Sequence, residues 1–170
     1  VLGLGTEYPP FSFRGEPNFH TLENHAMSIL ALDLGTKTGW STNVDCRRSG
    51  TIAFDLKRGE SPGMRFLRCR FWLKEMGSLL GALDVIAFEQ AHQRGGHATA
   101  VAYGLQGEVL AFAAEHSIET MPVHTATLKK SATGSGRASK QDMIEAARVK
   151  GWDPEDDNEA DALHLLDYAE

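Results

Sequence analysis

The chain has 170 residues, of which 42% are hydrophobic and 24% charged, and its formal net charge is −6. This length fits one globular domain, and no apolar run approaches the roughly 18 residues that a membrane-spanning helix needs. Only two cysteines occur, Cys46 and Cys69, which argues against a disulfide-stapled secreted scaffold and a four-cysteine zinc site. No secretory signal is recognisable, so we expect a cytoplasmic protein.

The charged residues are unevenly distributed along the chain. Residues 129–150 hold six Lys or Arg against two acids, and residues 57–74 hold six against one. Residues 153–170 carry eight acids and no Lys or Arg. Such asymmetry is typical of a basic binding face beside an acidic cation site. The alternative is a pair of solvated helix faces and an acidic tail.

The first half of the chain predicts three strands and a helix. Residues 1–26 mix proline, glycine and aromatic residues without a sustained period, which predicts an extension or tag outside a domain spanning 27–170. Ser61 and Pro62 are typical of an N-cap and first turn, and they predict a helix that runs to about Leu80. The predicted strands cover 29–34, 38–44 and 47–55.

The second half alternates strands with helices. Ser139 and Asp142 form a capping-box pattern that predicts the start of a helix, and Gly151 predicts its end. The further predicted elements are a strand over 84–89, a helix over 98–116, a strand over 118–123, a loop over 133–136 and a helix over 158–169. Three leading strands followed by this alternation predict an α/β fold with a mixed sheet.

Three carboxylates stand in unusual places. Asp33 lies inside an apolar strand, Glu89 ends another, and Asp161 lies in the first turns of an otherwise apolar helix. A buried lone carboxylate is costly, and three converging acids would repel one another without a cation. Mg²⁺ suits such a set, and two ions can hold the attacking water and the leaving oxygen of a phosphodiester. The alternative is that each acid is a surface or capping residue.

The segment from Asp33 to Thr36 supports a second interpretation. It is similar to the first phosphate-contacting motif of the sugar-kinase, actin and chaperone ATPase superfamily. Those proteins need two such domains around a nucleotide, and this chain supplies one at most.

Five segments become informative when they are taken together. They are Leu30–Thr36, Ala87–Gln90, Gly104–Gly107, Leu128–Lys140 and Glu159–Leu163. In order and spacing, over about residues 28–168, they resemble the RuvC family of Holliday-junction resolvases, nucleases of the RNase H-like superfamily. The size, the acidic balance and Asn158 favour a phage or prophage version.

This resemblance implies an RNase H-like fold, with a five-stranded mixed sheet flanked by helices. It also implies a homodimer that depends on two Mg²⁺ or Mn²⁺ ions per active site, in a bacterial cell or a phage-infected host. The implied activity is a crossover junction endodeoxyribonuclease, which nicks branched DNA such as four-way junctions and Y-junctions in pairs and leaves 5′-phosphate and 3′-OH ends. Two alternatives stay open: a YqgF-like nuclease acting on RNA or flaps, and a non-catalytic junction-binding protein.

By position, the resemblance makes Asp33, Glu89 and Asp161 the metal-binding catalytic acids. The family usually has Asp or His three residues before the last acid, where this chain has Asn158. Asp157 stands four residues before Asp161 and can share its helix face. We therefore expect Asp157 to be the fourth ligand, with Asn158 as the second choice.

The same resemblance assigns DNA contacts. Lys129 and Lys140 match its phosphate-contacting lysines, and Lys130 and Arg137 lie in the same segment. After Glu89 the family uses a loop, often with an aromatic wedge, to reach the junction centre. This chain offers His92 and Arg94 there, which can stack on bases or contact phosphate. The alternative is an exposed loop without contacts.

Two further predictions concern neighbouring helices. The helix over 98–116 is expected to form the dimer, because its small residues permit close helix approach and a two-fold dimer matches a four-way junction. These small residues are Ala98, Ala100, Ala102, Gly104 and Gly107. His164 follows Asp161 by three residues and is a candidate neighbour of the acidic site.

Overall fold

The computed structural model describes residues 27–91 and 96–170. The predicted extension over 1–26 lies outside these residues. The described strands are β1 (Ile29–Asp33), β2 (Lys37–Thr42), β3 (Arg48–Ala53), β4 (Val85–Glu89) and β5 (Glu119–Val123). The described helices are α1 (Gly63–Leu80), α2 (Gly96–His116), α3 (Thr125–Thr133), α4 (Lys140–Val149) and α5 (Asp157–Ala169). Within these residues, no helix is both long enough and apolar enough to cross a membrane.

The five strands form one mixed sheet in the order β3-β2-β1-β4-β5. The β1 and β3 strands are antiparallel to β2, whereas β4 is parallel to both β1 and β5. This confirms the predicted α/β fold with a five-stranded mixed sheet flanked by helices. Strand β1 occupies the centre, so residues at its end are surrounded by neighbouring elements.

Side-chain alternation along β1 separates two hydrophobic cores. Leu30 and Leu32 pack in the core formed with α1 and α2. Ile29 and Ala31 pack in the core formed with α3, α4 and α5. Since successive side chains of a strand point to opposite faces, Asp33 takes the same face as Ile29 and Ala31.

Helix α3 is absent from the sequence prediction, which passes from β5 to a loop without it. Its β-branched threonines weaken helix propensity, and Leu128 is its one buried residue, so no apolar stripe marks the segment. The helix ends at Gly134, whose φ of 82° provides a left-handed cap. Packing of Leu128 into the core beside β5 stabilises a helix that local pattern does not indicate.

The predicted helix starts have different outcomes. The capping box of Ser139 and Asp142 is confirmed in both directions. The predicted N-cap role of Ser61 is wrong, because the helix cap is Pro62 and no side chain bonds to the first turn. The carbonyl of Ser61 instead accepts from the Met64 amide at 3.0 Å.

Helices α1 and α2 lie side by side, and one predicted dimer residue is used between them. A Cβ on Gly104 would lie 2.2 Å from the Phe66 ring of α1. Gly104 therefore permits close packing within the chain, and its assignment to an interface between copies is corrected.

Candidate metal and DNA-binding site

Two of the predicted acids end neighbouring parallel strands. The register pairs Leu32 of β1 with Phe88 of β4, so the next residues, Asp33 and Glu89, stand level with each other. Both side chains point to the face covered by α5, because Ala31 and Ala87, two residues earlier, lie in that core. The sheet alone thus brings two carboxylates together at its carboxyl end.

Helix α5 approaches the sheet closely over β2. A Cβ on Gly39 would lie only 1.9 Å from the backbone oxygen of Asn158. The hydroxyl of Ser41 donates to the Ala162 carbonyl at 2.7 Å, in a buried position. These contacts fasten the first turns of α5 across the sheet, so that Asp161 lies over the end of β1.

Further bonds secure the start of α5. Asp156 is the N-cap, and its Oδ1 accepts from the Glu159 amide at 2.9 Å and from the Thr51 hydroxyl at 2.8 Å. The buried Glu159 accepts in turn from the Ser49 hydroxyl at 2.6 Å. Asp156 and Glu159 therefore anchor the helix to β3, and Asp157 between them begins it.

The pKa values of Asp33 and Asp161 are raised by burial, and the charges of Glu89 and Asp157 contribute to both shifts. Burial raises the pKa of Asp33 well above its ordinary value, and the charges of Asp161, Glu89 and Asp157 raise it further. Burial raises the pKa of Asp161 to about 7, with Glu89 as the next cause. Such coupling means that the four carboxylates share one small region, where their full ionisation needs positive charge.

Two lysines border this region. Lys140 donates to Oδ2 of Asp157, and this hydrogen bond raises the pKa of Lys140. Its charge also acts on Asp33 and Asp161, opposing the rise in their pKa. Lys129 donates to the Ala138 carbonyl at 2.6 Å, and its charge likewise acts on Asp161.

The donor set suits a hard divalent cation. Asp161 Oδ1 is buried without a hydrogen-bond partner, an arrangement that costs free energy unless a cation or a proton meets it. Carboxylate oxygens are the ligands that Mg²⁺ and Mn²⁺ prefer. Across 27–91 and 96–170, however, no three acidic, histidine or cysteine side chains converge closely enough to hold one ion. Lys140 engages Asp157 and the Thr125 hydroxyl holds Glu89, so joint ligation requires Lys140 to release Asp157 and the aspartate side chains to rotate toward Glu89.

Electrostatic coupling to the other acids favours Asp157 over Asn158 as the fourth ligand. The charge of Asp157 acts on both Asp33 and Asp161. Asn158 instead lies two residues after Asp156, the helix N-cap, and its backbone oxygen faces Gly39 of β2. The choice of Asp157 stays a prediction.

The remaining predicted DNA contacts differ in placement. Lys130 and Arg137 are exposed, and neither is among the charges that act on Asp33 or Asp161. They are available to a long ligand passing beside the acids. His92 and Arg94 lie outside the described residues.

The basic segment over 57–74 is largely used within the fold. Arg65 is buried and donates to the Phe54 carbonyl at 2.9 Å. Arg68 pairs with Glu60 at 2.6 Å, and α1, which carries Arg65 and Arg68, packs on the sheet face opposite the acids. The prediction of a basic binding face is therefore corrected for Arg65 and Arg68, because both bond to other groups within the fold.

His164 does not join the site. It is buried, its Nε2 bonds to the Met143 carbonyl at 2.9 Å, and its ring meets Trp152 edge-on. Burial lowers the pKa of His164, which keeps the ring neutral. His164 follows Asp161 by three residues, but its side chain faces α4 instead of the acidic cluster.

Sequence reasoning missed two residues that hold the Glu89 strand end. The Thr125 hydroxyl donates to Glu89 Oε1 at 2.5 Å. The Gln106 side chain accepts from the Ala91 amide at 3.2 Å, which gives the Gly104–Gly107 motif a role in anchoring Ala91 just after β4. The sequence offered one signal for Thr125, which is its position two residues after Val123, at the end of the strand beside β4.

The comparison with solved structures decides the fold family. The RuvC of Thermus thermophilus in complex with a Holliday junction substrate matches with a TM-score of 0.68 and 20% identity, over 83% of this chain and 91% of that one. A second Thermus thermophilus RuvC structure matches with a TM-score of 0.66 and 20% identity, over 82% and 91%. The fold is that of RuvC. No protein-family model and no curated protein matches the chain.

Proposed function

We propose that the protein is a divalent-metal-dependent endonuclease that resolves Holliday junctions or related branched DNA by paired nicking. The observation that carries the proposal is that Asp33 and Glu89 end neighbouring strands of a RuvC-like sheet, with Asp157 and Asp161 close enough to act on the charge of Asp33 and with Lys129 and Lys140 beside them. The Thermus thermophilus RuvC that shares this fold is bound to a Holliday junction. The proposed products carry 5′-phosphate and 3′-OH ends.

In this proposal Asp33, Glu89 and Asp161 hold Mg²⁺ or Mn²⁺, and Asp157 completes the set for a second ion. Bound divalent ions lower the pKa of water and offset negative charge on a phosphodiester. Burial and the neighbouring carboxylates raise the pKa of Asp33 and Asp161, and a bound cation would offset this cost of ionisation. Without a cation, the ionised acids would also repel the DNA backbone.

The lysines would act on the phosphate. The Lys140 side chain is 78% exposed and long enough to leave Asp157 for a phosphate oxygen. Lys129 is half-buried and held by the Ala138 carbonyl, so it supplies a fixed positive charge near Asp161. One lysine is thus exposed and the other half-buried, and both would favour negative charge developing on the scissile phosphate.

The DNA path extends beyond the acids. Lys130 and Arg137 are exposed on and after α3, the helix that carries Lys129, and would contact backbone phosphates. The proposal also includes His92 and Arg94, which follow Glu89 along the chain.

The homodimer belongs to this proposal as well. Helix α2 presents an exposed stripe in which the spacing alternates between three and four residues, as in a coiled-coil seam. Its members are Ala100, Tyr103, Gly107, Leu110 and Ala114. Two copies packed along these small and apolar residues would be related by a two-fold axis, so each could cut one strand of a four-way junction.

A nicking assay on synthetic DNA tests the function. Wild-type protein is expected to cut four-way junctions with Mg²⁺, and Asp33→Asn to bind them without cutting. Asp153→Asn is the matched control, because Asp153 is exposed in the same acidic run outside the cluster. Undiminished cutting in excess chelator, or by Asp33→Asn, would contradict the proposal.

The substrate panel separates the alternatives. Preferential cutting of RNA hairpins or flaps would identify the YqgF-like alternative. Binding of junctions by the wild-type protein without cutting under any metal condition would identify the non-catalytic one. Linear and three-way DNA measure how strictly the enzyme selects four-way junctions.

A further inference from the structure

Glu89 differs from the other acids of the cluster in the length of its side chain. It has one more torsion than Asp33 or Asp161 and stands at the last position of β4. A carboxylate that ligates a metal is usually held by a hydrogen bond to its other oxygen, because an unheld ligand loses entropy on binding. A hydrogen-bond partner is therefore more important for orienting Glu89 than for orienting Asp33 or Asp161.

Thr125 is placed to be that partner. Strand β5 runs parallel to β4 with Val123 opposite Glu89, and Thr125 follows two residues later as the first residue of α3. Its hydroxyl donates to Glu89 Oε1 at 2.5 Å, and both side chains are half-buried. The backbone reinforces this junction, because the Gln90 amide donates to the Val123 carbonyl at 2.8 Å.

The bond leaves a defined part of Glu89 available. A threonine hydroxyl has one proton to donate, so it can hold one carboxylate oxygen and leave the other for a ligand. Threonine is also β-branched, which restricts the rotation of its side chain. Glu89 is the strongest charged neighbour of Asp161, so its orientation affects the rest of the cluster.

We propose that Thr125 is a positioning residue, which holds Glu89 through Oε1 so that Oε2 is presented to a divalent cation shared with Asp33 and Asp161. The inference rests on the proposed function and deepens it. It assigns to the first residue of α3 a role that the five sequence motifs do not include.

Calorimetric titration of the full chain with Mn²⁺, without DNA, tests the inference. Thr125→Val keeps the shape and removes the hydroxyl, and it is expected to weaken Mn²⁺ affinity about 10-fold, a typical effect of removing the partner of a metal ligand. Thr125→Ser keeps the donor and is expected to restore most of the affinity. Thr127→Val, an exposed threonine on the same helix, is the control and should bind like the wild type.

The outcomes distinguish this inference from the proposed function. If wild-type protein binds no divalent cation, the proposed function fails. If wild type and Thr125→Val bind Mn²⁺ equally, the positioning role alone is overturned. Should the valine variant fail to fold in chelator, Thr125→Ala and Thr125→Ser still differ by the hydroxyl alone. Equal Mn²⁺ affinities of those two variants would then overturn the role.

Discussion

The ammonium of Lys140 bonds to Asp157, the acid that the sequence predicts as the fourth metal ligand. The lysine side chain is 78% exposed, whereas that of Asp157 is 27% exposed. An exposed cation from α4 therefore partly neutralises the acidic cluster at the start of α5. Any divalent ion that takes Asp157 as a ligand must compete with this lysine.

Replacing Lys140 should separate metal binding from DNA binding. Lys140→Met removes the competing charge, so Mn²⁺ affinity should rise roughly two- to fivefold, the scale of one exposed ion pair. DNA affinity should fall, and its salt dependence should decrease by about one counterion. Calorimetry and DNA binding at several salt concentrations measure these effects. Lys74→Met, on α1 and the opposite face of the sheet, is the control, and weaker Mn²⁺ binding by Lys140→Met would contradict the competition.

The pH dependence of stability should report on Asp161. Because the pKa of Asp161 is raised to about 7 from 3.8, the native protein retains a proton there that the unfolded chain releases. The free energy of unfolding in chelator should therefore fall as the pH rises from about 4 to about 7. Asp33 is shifted in the same direction, so it adds to this fall.

Asp161→Asn removes the buried charge without changing the size of the side chain. In chelator at pH 8 its unfolding temperature should exceed that of the wild type, and the difference should shrink toward pH 4. Urea or thermal unfolding at both pH values measures this, with Asp153→Asn as the exposed control. A variant less stable than the wild type at pH 8 would show that Asp161 does not cost stability when ionised.

Gly39→Ala should displace α5. Its Cβ would meet the backbone oxygen of Asn158 at 1.9 Å, and backbone cannot move aside as a flexible side chain does. We expect a loss of about 1–3 kcal/mol in the free energy of unfolding, together with weaker Mn²⁺ binding, because α5 carries Asp161. Denaturant unfolding and calorimetry measure both. Gly63→Ala is the control, since its nearest atom lies at 3.7 Å, and wild-type stability of Gly39→Ala would refute the close packing.

The α2 stripe predicts the effect of a charge on assembly. Leu110 is 41% exposed within the stripe, and Leu110→Glu would place like charges against each other across a two-fold interface. The variant should sediment as a monomer where the wild type sediments as a dimer. The two nicks in a four-way junction should then no longer occur together. Leu79→Glu, at a 75% exposed position on α1, serves as the control. A wild-type monomer at all concentrations would dismiss this interface.

Local patterns determined much of the architecture. Apolar runs that end in Asp33 and Glu89 predict two strands with terminal carboxylates, and the sheet register places those residues level. The capping box at Ser139 and the glycine that ends α4 are likewise legible without a structure. Such features depend on residues close in sequence, whose spacing reports which way each side chain faces.

Only the tertiary structure decided how distant charges are used. Arg65 in the basic run bonds to the Phe54 carbonyl within the fold, and Lys140 bonds to Asp157. It also decided that Thr125 starts a helix and holds Glu89, 36 residues away in the chain. A charged or hydroxyl side chain has no periodicity that names its partner, because hydrogen bonds and ion pairs form between whichever groups the packing of separate elements brings within reach.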